Sequence, residues 1–291
     1  MHGEDKISTI TDVKLTRHKL HVGSYDINYV VAGEGDPLIL VHGLNVGWGQ
    51  WYPNIKDLSK KFKVYAIDLP GAGASSTLDF SRSSLEESFV MVLEGFLKKL
   101  SLTSVNLIGH SIGAWVVAKV VLRKKVSVNK IILVDPLGFT LSVPFNQKLL
   151  TFYPVAKFLS RTVMKLSRNN MESFLRGVYV DNTILADEFI EYVYESMKSN
   201  NHPHPFLLLH KIVNFFSVKA EFDLRLQLRS ILLPILVIVG EKDPIVSSKK
   251  VIEESKKIPS ATVLEYKNVG HVPSTESSKR FNTDVLTFLQ K

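Results

Sequence analysis

The sequence predicts an α/β fold: a mostly parallel central sheet with helices on both faces and one inserted helical segment. Three observations carry that expectation. Short runs such as "PLILV" at 37–41, "IILV" at 131–134 and "ILVIV" at 235–239 are apolar at every position, as strands covered on both faces require. Helical patterns separate these runs, and such alternation marks a parallel sheet layered between helices. The rhythm stops from about 138 to 225, where helical patterns occur without a strand core, and then resumes. The expected division is therefore a core of residues 1–137 and 226–291 with a helical cap at 138–225.

Taken in order, "DVKLTRHKLHV" and "YDINYVVAG" read as strands joined by the turn signal Gly23-Ser24. "PLILVHG" is the third strand, and "WYPNIKDLSKKF" the helix after it. "KVYAIDLPGAGAS" is a strand running into a glycine-rich loop. In "SLEESFVMVLEGFLKKL" Ser84 caps a helix, and Glu87 three residues on completes a capping box. "VNLIGHSIGAWVVAKVVL" at 105–122 joins a buried strand to a buried helix, and "NKIILVDP" is the next strand. Within the insertion, "NQKLLTFYPVAKFLSRTVMKL" and "ADEFIEYVYESMKS" carry helical spacing. "PILVIVGEKDP", "VSSKKVIEESKKI", "ATVLEYKNVGH" and "STESSKRFNTDVLTFLQK" then supply strand, helix, strand and helix.

Composition narrows the function classes. With 291 residues, 45% hydrophobic and 22% charged, the chain has the make-up of a globular protein with a sizeable core. Its formal charge of +8 is spread from end to end, the densest run being "RKK" at 123–125, so the basic groups read as solvated surface and not as a nucleic-acid face. The absence of cysteine excludes disulfides, thiolate metal sites and a cysteine nucleophile. The N-terminal "MHGEDKISTI" lacks the apolar segment of a secretory signal. The longest strongly apolar stretch, "ILLPILVIV" at 231–239, is too short to span a bilayer. A cytoplasmic protein without integral membrane association is expected.

The chemistry centres on Gly109-His110-Ser111-Ile112-Gly113, a Gly-x-Ser-x-Gly pattern between a buried strand and a helix. A serine on so tight a turn adopts a strained backbone, and side chains two positions either side would collide with neighbouring segments. The bend lifts the hydroxyl above the strand ends. The competing assignment is an ordinary helix cap. A serine hydroxyl is a weak nucleophile at neutral pH and needs a base. His271, in a "GHVP" loop after the last strand, can reach the same sheet edge as Ser111; His2, His18 and His21 suit surface or edge-strand roles, and His110 should point away from the serine. His202 and His204 in "NHPHP" read as a turn, because no third ligand is near, and no metal site is expected.

An acid must orient the base and stabilise its charged form. Asp135 and Asp243 both precede proline at a strand end; Asp243 is preferred because its strand comes immediately before the one feeding His271. Backbone N–H groups of Ile112 and of Leu44, after "LVHG", can hold an oxyanion. Trp48, Trp51, Phe139 and Phe145 are candidate walls of an apolar substrate pocket, although core and pocket draw on the same residue types.

At these residues the chain resembles the α/β-hydrolase fold family. "HGL", "DLPGAGAS", "GHSIGA", "GEKDPIV" and "VGHVPSTE" fall in the family's order from about residue 20 onward, with the insertion at the position of the family's cap. "DLPGAGAS" matches the family's D-x-x-G-x-G-x-S signature at Asp68, Gly71, Gly73 and Ser75, which implies an architectural role. The resemblance implies Ser111, Asp243 and His271 as nucleophile, acid and base. The segment "FLRGVYVDNTILADEFIEYVYE" is similar to caps of meta-cleavage-product hydrolases, which cleave carbon–carbon bonds, and of related esterases. Those carbon–carbon hydrolases usually carry Asn before the nucleophile and Trp soon after the histidine; His110 and "HVPSTE" stand in those places here. The expected activity is cofactor-independent hydrolysis of carboxylic esters with short or medium acyl groups. A carbon–carbon hydrolase and a non-catalytic ligand receptor remain the alternatives. The expected partner is a small-molecule ester, with no nucleic acid, and a homodimer is left open.

Overall fold

Alternate residues of the central strands face two different cores. Ile39, Val41, Leu107, Ile131 and Val237 join one apolar cluster, while Leu38, Leu40, Ile108, Ile132 and Ile238 join the other. Both clusters are buried, which is why these strands carry no polar–apolar alternation. The computed structural model describes residues 2–78, 84–140, 152–162, 166–199, 211–214 and 217–291.

Eight strands form one sheet: β1 (Thr16–Val22), β2 (Tyr25–Ala32), β3 (Pro37–Val41), β4 (Lys63–Ile67), β5 (Val105–His110), β6 (Val128–Val134), β7 (Ile235–Gly240) and β8 (Ala261–Tyr266). Their spatial order is β1-β2-β4-β3-β5-β6-β7-β8. The β1–β2 and β2–β4 pairs are antiparallel and the remaining pairs parallel. Strand order reverses about β3, which lies between β4 and β5, and such a reversal opens a crevice at the carboxyl ends of the strands.

The described helices are α1 (His2–Thr11), α2 (Tyr52–Leu58), α3 (Met91–Lys99), α4 (Ile112–Arg123), α5 (Tyr153–Arg161), α6 (Arg168–Arg176), α7 (Asp187–Ser199), α8 (Ser248–Ser255), α9 (Pro273–Glu276) and α10 (Ser278–Gln290). Residues of α3, α4 and α8 fill the first cluster, and residues of α1, α2, α7 and α10 the second. Helices therefore cover both faces, as expected. The Ser84 capping box forms: Ser84 N–H donates to Glu87 Oε2 at 3.0 Å, and Glu87 N–H to Ser84 Oγ at 3.1 Å. The helix it starts opens with a π-turn at Glu86–Val90.

The strand–helix rhythm gave no sign of α1. Its buried face is Gly3, Ile7 and Thr11, of which only Ile7 is a large apolar residue; that is too little to show as a hydrophobic pattern, and partners distant in the chain hold it. Between β6 and β7 the described residues hold α5, α6, α7 and short 3₁₀ turns; their only extended pairing is an isolated bridge between Val213 and Val218. No helix among the described residues is long and apolar enough to cross a membrane.

Candidate active site

Ser111 sits at φ 54°, ψ −114°, between β5 and α4. For a residue with a Cβ this backbone is strained by about 1–3 kcal/mol, and it persists only where the surroundings enforce it. They do so here. Ser111 N–H donates to the Val134 carbonyl at 2.9 Å, and the Ser111 carbonyl accepts from Ala114, Trp115 and Leu137 N–H groups at 3.1, 3.3 and 3.2 Å. The glycines are required by close approach: a Cβ on Gly109 would lie 2.3 Å from the Gly113 carbonyl oxygen, and one on Gly113 2.5 Å from the carbonyls of Val41 and His42. The Ser111 hydroxyl does not cap α4. Ser111 thus holds the N-cap position of α4 without a side-chain capping bond.

The loop after β3 is held from both sides. His42 Nδ1 donates to the Gly43 carbonyl at 2.5 Å, while His42 Nε2 accepts from Leu69 N–H at 2.9 Å. The Gly43 carbonyl and the Leu44 N–H belong to one trans peptide and point in opposite directions, so the bond to His42 fixes where the Leu44 N–H aims. Gly43 N–H is taken by Gln50 Oε1 at 2.9 Å. Neither the Leu44 nor the Ile112 N–H finds an acceptor among the described residues. These two donors, one on the loop after β3 and one at the start of α4 after the paired strand β5, can receive a negatively charged oxygen.

His271 lies between β8 and α9, on a loop clamped to three segments. Its N–H donates to the Val178 carbonyl at 2.9 Å. A Cβ on Gly270 would lie 2.5 Å from that same carbonyl, and one on Gly240 only 1.8 Å from the Gly270 carbonyl. Glu276 accepts from Gly270 N–H at 3.1 Å and from Val180 N–H at 3.1 Å, tying the loop to the segment after α6. His110 Nε2 donates to the His271 carbonyl at 2.7 Å, and the two rings are 4.8 Å apart. Burial, with the His271 charge beside it, pushes His110 down to about 3, so the ring is neutral, and the His271 carbonyl, which can only accept, places its one proton on Nε2.

The imidazole of His271 and the carboxylate of Asp243 are brought together: Nδ1 to Oδ2 is 2.6 Å, with side chains 8% and 0% exposed. Asp243 Oδ1 accepts from Ile245 and Val246 N–H at 2.7 and 2.9 Å. Burial works to raise this carboxyl, but the His271 charge and hydrogen bond, with the two amides, outweigh it and hold the group below its ordinary value. Between the two acids considered, His271 bonds to Asp243. Asp135 stands beside them; its carboxylate, that of Asp243 and a His271 ring nitrogen lie within 4.8 Å of one another. No hydrogen bond joins Ser111 to His271, and His271 Nε2 has no partner among the described residues.

Three of the aromatic candidates are buried in the core. Trp48 and Trp51 are 0% exposed, and Phe139 is 1% exposed. Trp48 packs on Tyr192 and donates its indole N–H to Glu4 at 3.0 Å; Trp51 packs near Phe281. All three belong to the core clusters. Phe145, His202 and His204 lie outside the described residues.

Sequence reasoning gave no role to His110, Gln50 or Glu276. Glu276 carried one faint signal, an acid in the turn after the histidine loop, but its partner Val180 is 96 positions away. The "DLPGAGAS" loop is a structural knot. Asp68 accepts from Trp48 N–H at 2.6 Å, Asn28 Nδ2 at 2.7 Å, Ala74 N–H at 3.0 Å and the Tyr192 hydroxyl at 3.3 Å, while burial pushes its carboxyl up to about 7. A Cβ on Gly73 would lie 1.9 Å from Asp68 Oδ2.

Comparison with known proteins agrees with this architecture. Over 177 residues the chain is 32% identical to the abhydrolase domain-containing protein abhd-5.2 of Caenorhabditis elegans; the match covers 58% of this chain and 39% of that relative. It is 26% identical over 259 residues to a Bacillus subtilis carboxylesterase, nap, called uncharacterized, covering 88% of this chain and 79% of that one. The meta-cleavage product hydrolase CumD of Pseudomonas fluorescens IP01 superposes with a TM-score of 0.77 at 21% identity, covering 94% of this chain and 97% of its own. A family model described as alpha/beta hydrolase fold matches residues 36–277, and the chain belongs to that family.

Proposed function

We propose that the protein is a serine hydrolase that cleaves carboxylic esters of short to medium acyl chains through an acyl-enzyme. His271 Nε2 takes the proton of Ser111 as the hydroxyl oxygen attacks the ester carbonyl, and the Leu44 and Ile112 N–H groups receive the oxyanion. His271 then gives that proton to the leaving alcohol. Water, deprotonated by the same nitrogen, releases the acid and restores Ser111. Asp243 fixes the proton-bearing Nδ1 and stabilises the imidazolium.

The observation that carries this reading is the 2.6 Å Asp243–His271 contact. Nδ1 is engaged by a buried carboxylate, which leaves Nε2 as the basic atom of a ring 4.8 Å from that of His110, the residue before Ser111. The unmade Ser111–His271 hydrogen bond is compatible with it, because such bonds often tighten only with substrate bound. We assign residues 138–225 to a helical cap over the site, with a small-molecule ester as the partner. The match to a protein named a carboxylesterase supports an ester over the carbon–carbon substrates of CumD.

The test is hydrolysis of p-nitrophenyl butyrate by wild type and Ser111→Ala, alongside a dienol acid as the carbon–carbon substrate. Ester turnover that falls at least about 10³-fold in the folded variant supports the reading. Near-wild-type ester turnover by Ser111→Ala overturns it, as does turnover confined to the dienol acid.

A further inference from the structure

Asp135 is a second buried carboxyl in the site, and the proposed mechanism leaves it without a task. It is 1% exposed and has a backbone φ of 40°, an uncommon conformation for an aspartate. The β6–β7 pairing ends at Val134 and Ile238, and Asp135 continues it: its N–H donates to the Ile238 carbonyl at 2.9 Å, and its Oδ1 accepts from Gly240 N–H at 3.0 Å. The strained backbone thus turns the carboxyl across the end of β7, toward the loop that carries Asp243. Oδ2 is buried and receives no donor from any described residue.

Two buried carboxylates this close do not both ionise, so one proton is held by the pair. The hydrogen bonds decide which partner holds it. Asp243 accepts three donors, from Ile245 N–H, Val246 N–H and His271 Nδ1. Asp135 accepts one. A negative charge is therefore better supported on Asp243. A proton on Asp135 Oδ2 also gives this unmet buried oxygen a partner, because a carboxylic acid donates where a carboxylate only accepts.

We propose that Asp135 is a positioning residue held as a neutral carboxylic acid, donating a hydrogen bond from Oδ2 to the Asp243 carboxylate. The direction of the acidities agrees: burial, with the Asp243 charge next, pushes the Asp135 carboxyl well above its ordinary value, whereas Asp243 is held below its own. The other titratable groups facing the pair are His271 from the loop before α9 and Glu276 within α9, with His110 behind His271. Neither carboxylate is paired with a lysine or arginine among the described residues. Asp135 thereby keeps the Asp243 carboxylate aimed at Nδ1 and less able to draw the proton from it.

The catalytic meaning of this inference rests on the esterase reading, so the deciding measurement is independent of turnover. At neutral pH, the infrared difference spectrum of wild type against Asp135→Asn should contain a carboxylic-acid C=O band that shifts in deuterium oxide. Its absence overturns the proposal. In ester hydrolysis, Asp135→Ala should lose about 30-fold in kcat with little change in KM, and Asp135→Asn, which can still donate from Nδ2, only about 3-fold. Equal losses in both variants, or an acid limb of the pH–rate profile that moves down by about one pH unit in Asp135→Asn, overturn it, because the latter marks removal of a charge. A wild type inert toward every ester defeats the esterase reading alone, and the infrared band still decides Asp135.

Discussion

His110 donates from Nε2 to the main-chain carbonyl of His271 across 2.7 Å, so the residue immediately before Ser111 supports the loop of the proposed base. The serine turn and the histidine loop are thereby one mechanical unit, although 161 positions separate them. His110→Gln should lower kcat more than it raises KM, by about 10-fold, because a loosened His271 loop affects the transition state first. Steady-state kinetics on a soluble ester check this. An unchanged kcat would show that the loop is set by Val178 and Glu276 alone.

The same residue sets an acid sensitivity. The unfolded chain protonates this imidazole below its ordinary 6.5, while the folded protein keeps it neutral down to about 3. More protons are then bound by the unfolded state, so stability falls as pH drops from about 6.5 toward 3. By pH 5 the loss from this group is about 2 kcal/mol. Urea midpoints at pH 7 and pH 5 should separate more in wild type than in His110→Gln. An equal separation counts against the buried neutral imidazole.

Gly113→Ala places a methyl group 2.5 Å from the carbonyl oxygens of Val41 and His42. Backbone on both sides must move apart, at a loss of about 3 kcal/mol. Thermal melting is expected to show a lower Tm, and activity should fall with it, since the shift separates the Leu44 and Ile112 N–H groups. A Tm within error of wild type would mean that the two loops are not in contact.

Asp243→Asn keeps the shape of the acid but removes its charge. The amide no longer holds a proton on His271 Nδ1, so Nε2 loses its character as a base. The expected drop in kcat is about 10⁴-fold, with folding retained. Single-turnover kinetics give the number. A loss of less than about 10-fold would shift the orienting role to another group.

Asp68→Ala removes the acceptor for Trp48 N–H, Ala74 N–H, Asn28 Nδ2 and the Tyr192 hydroxyl at once. Buried donors left unmet are expected to destabilise by about 4 kcal/mol or more in total, whereas Tyr192→Phe, which removes one bond, should lose about 1 kcal/mol. Denaturant titration of both variants tests the architectural role of the "DLPGAGAS" loop.

The sequence by itself determined the sheet and the serine turn. Apolar runs without alternation permit only strands covered on both faces, and Gly109 and Gly113 sit where the chain must pass within touching distance of itself. Both signals are local, written within a few residues of one another. It also narrowed the acid to two aspartates on adjacent strand ends. Strand adjacency already favoured Asp243; only the tertiary structure shows which carboxylate bonds His271, because the direction of a carboxylate depends on the φ of 40° at Asp135 and on the turn that Asp243 makes with Ile245 and Val246. It likewise sent Trp48, Trp51 and Phe139 into the cores, since a large apolar side chain carries the same signature in a pocket wall and in a packed interior. His110, Gln50 and Glu276 were invisible for a related reason. A hydrogen bond needs a partner within about 3 Å in space, and their partners come from segments that only folding brings near.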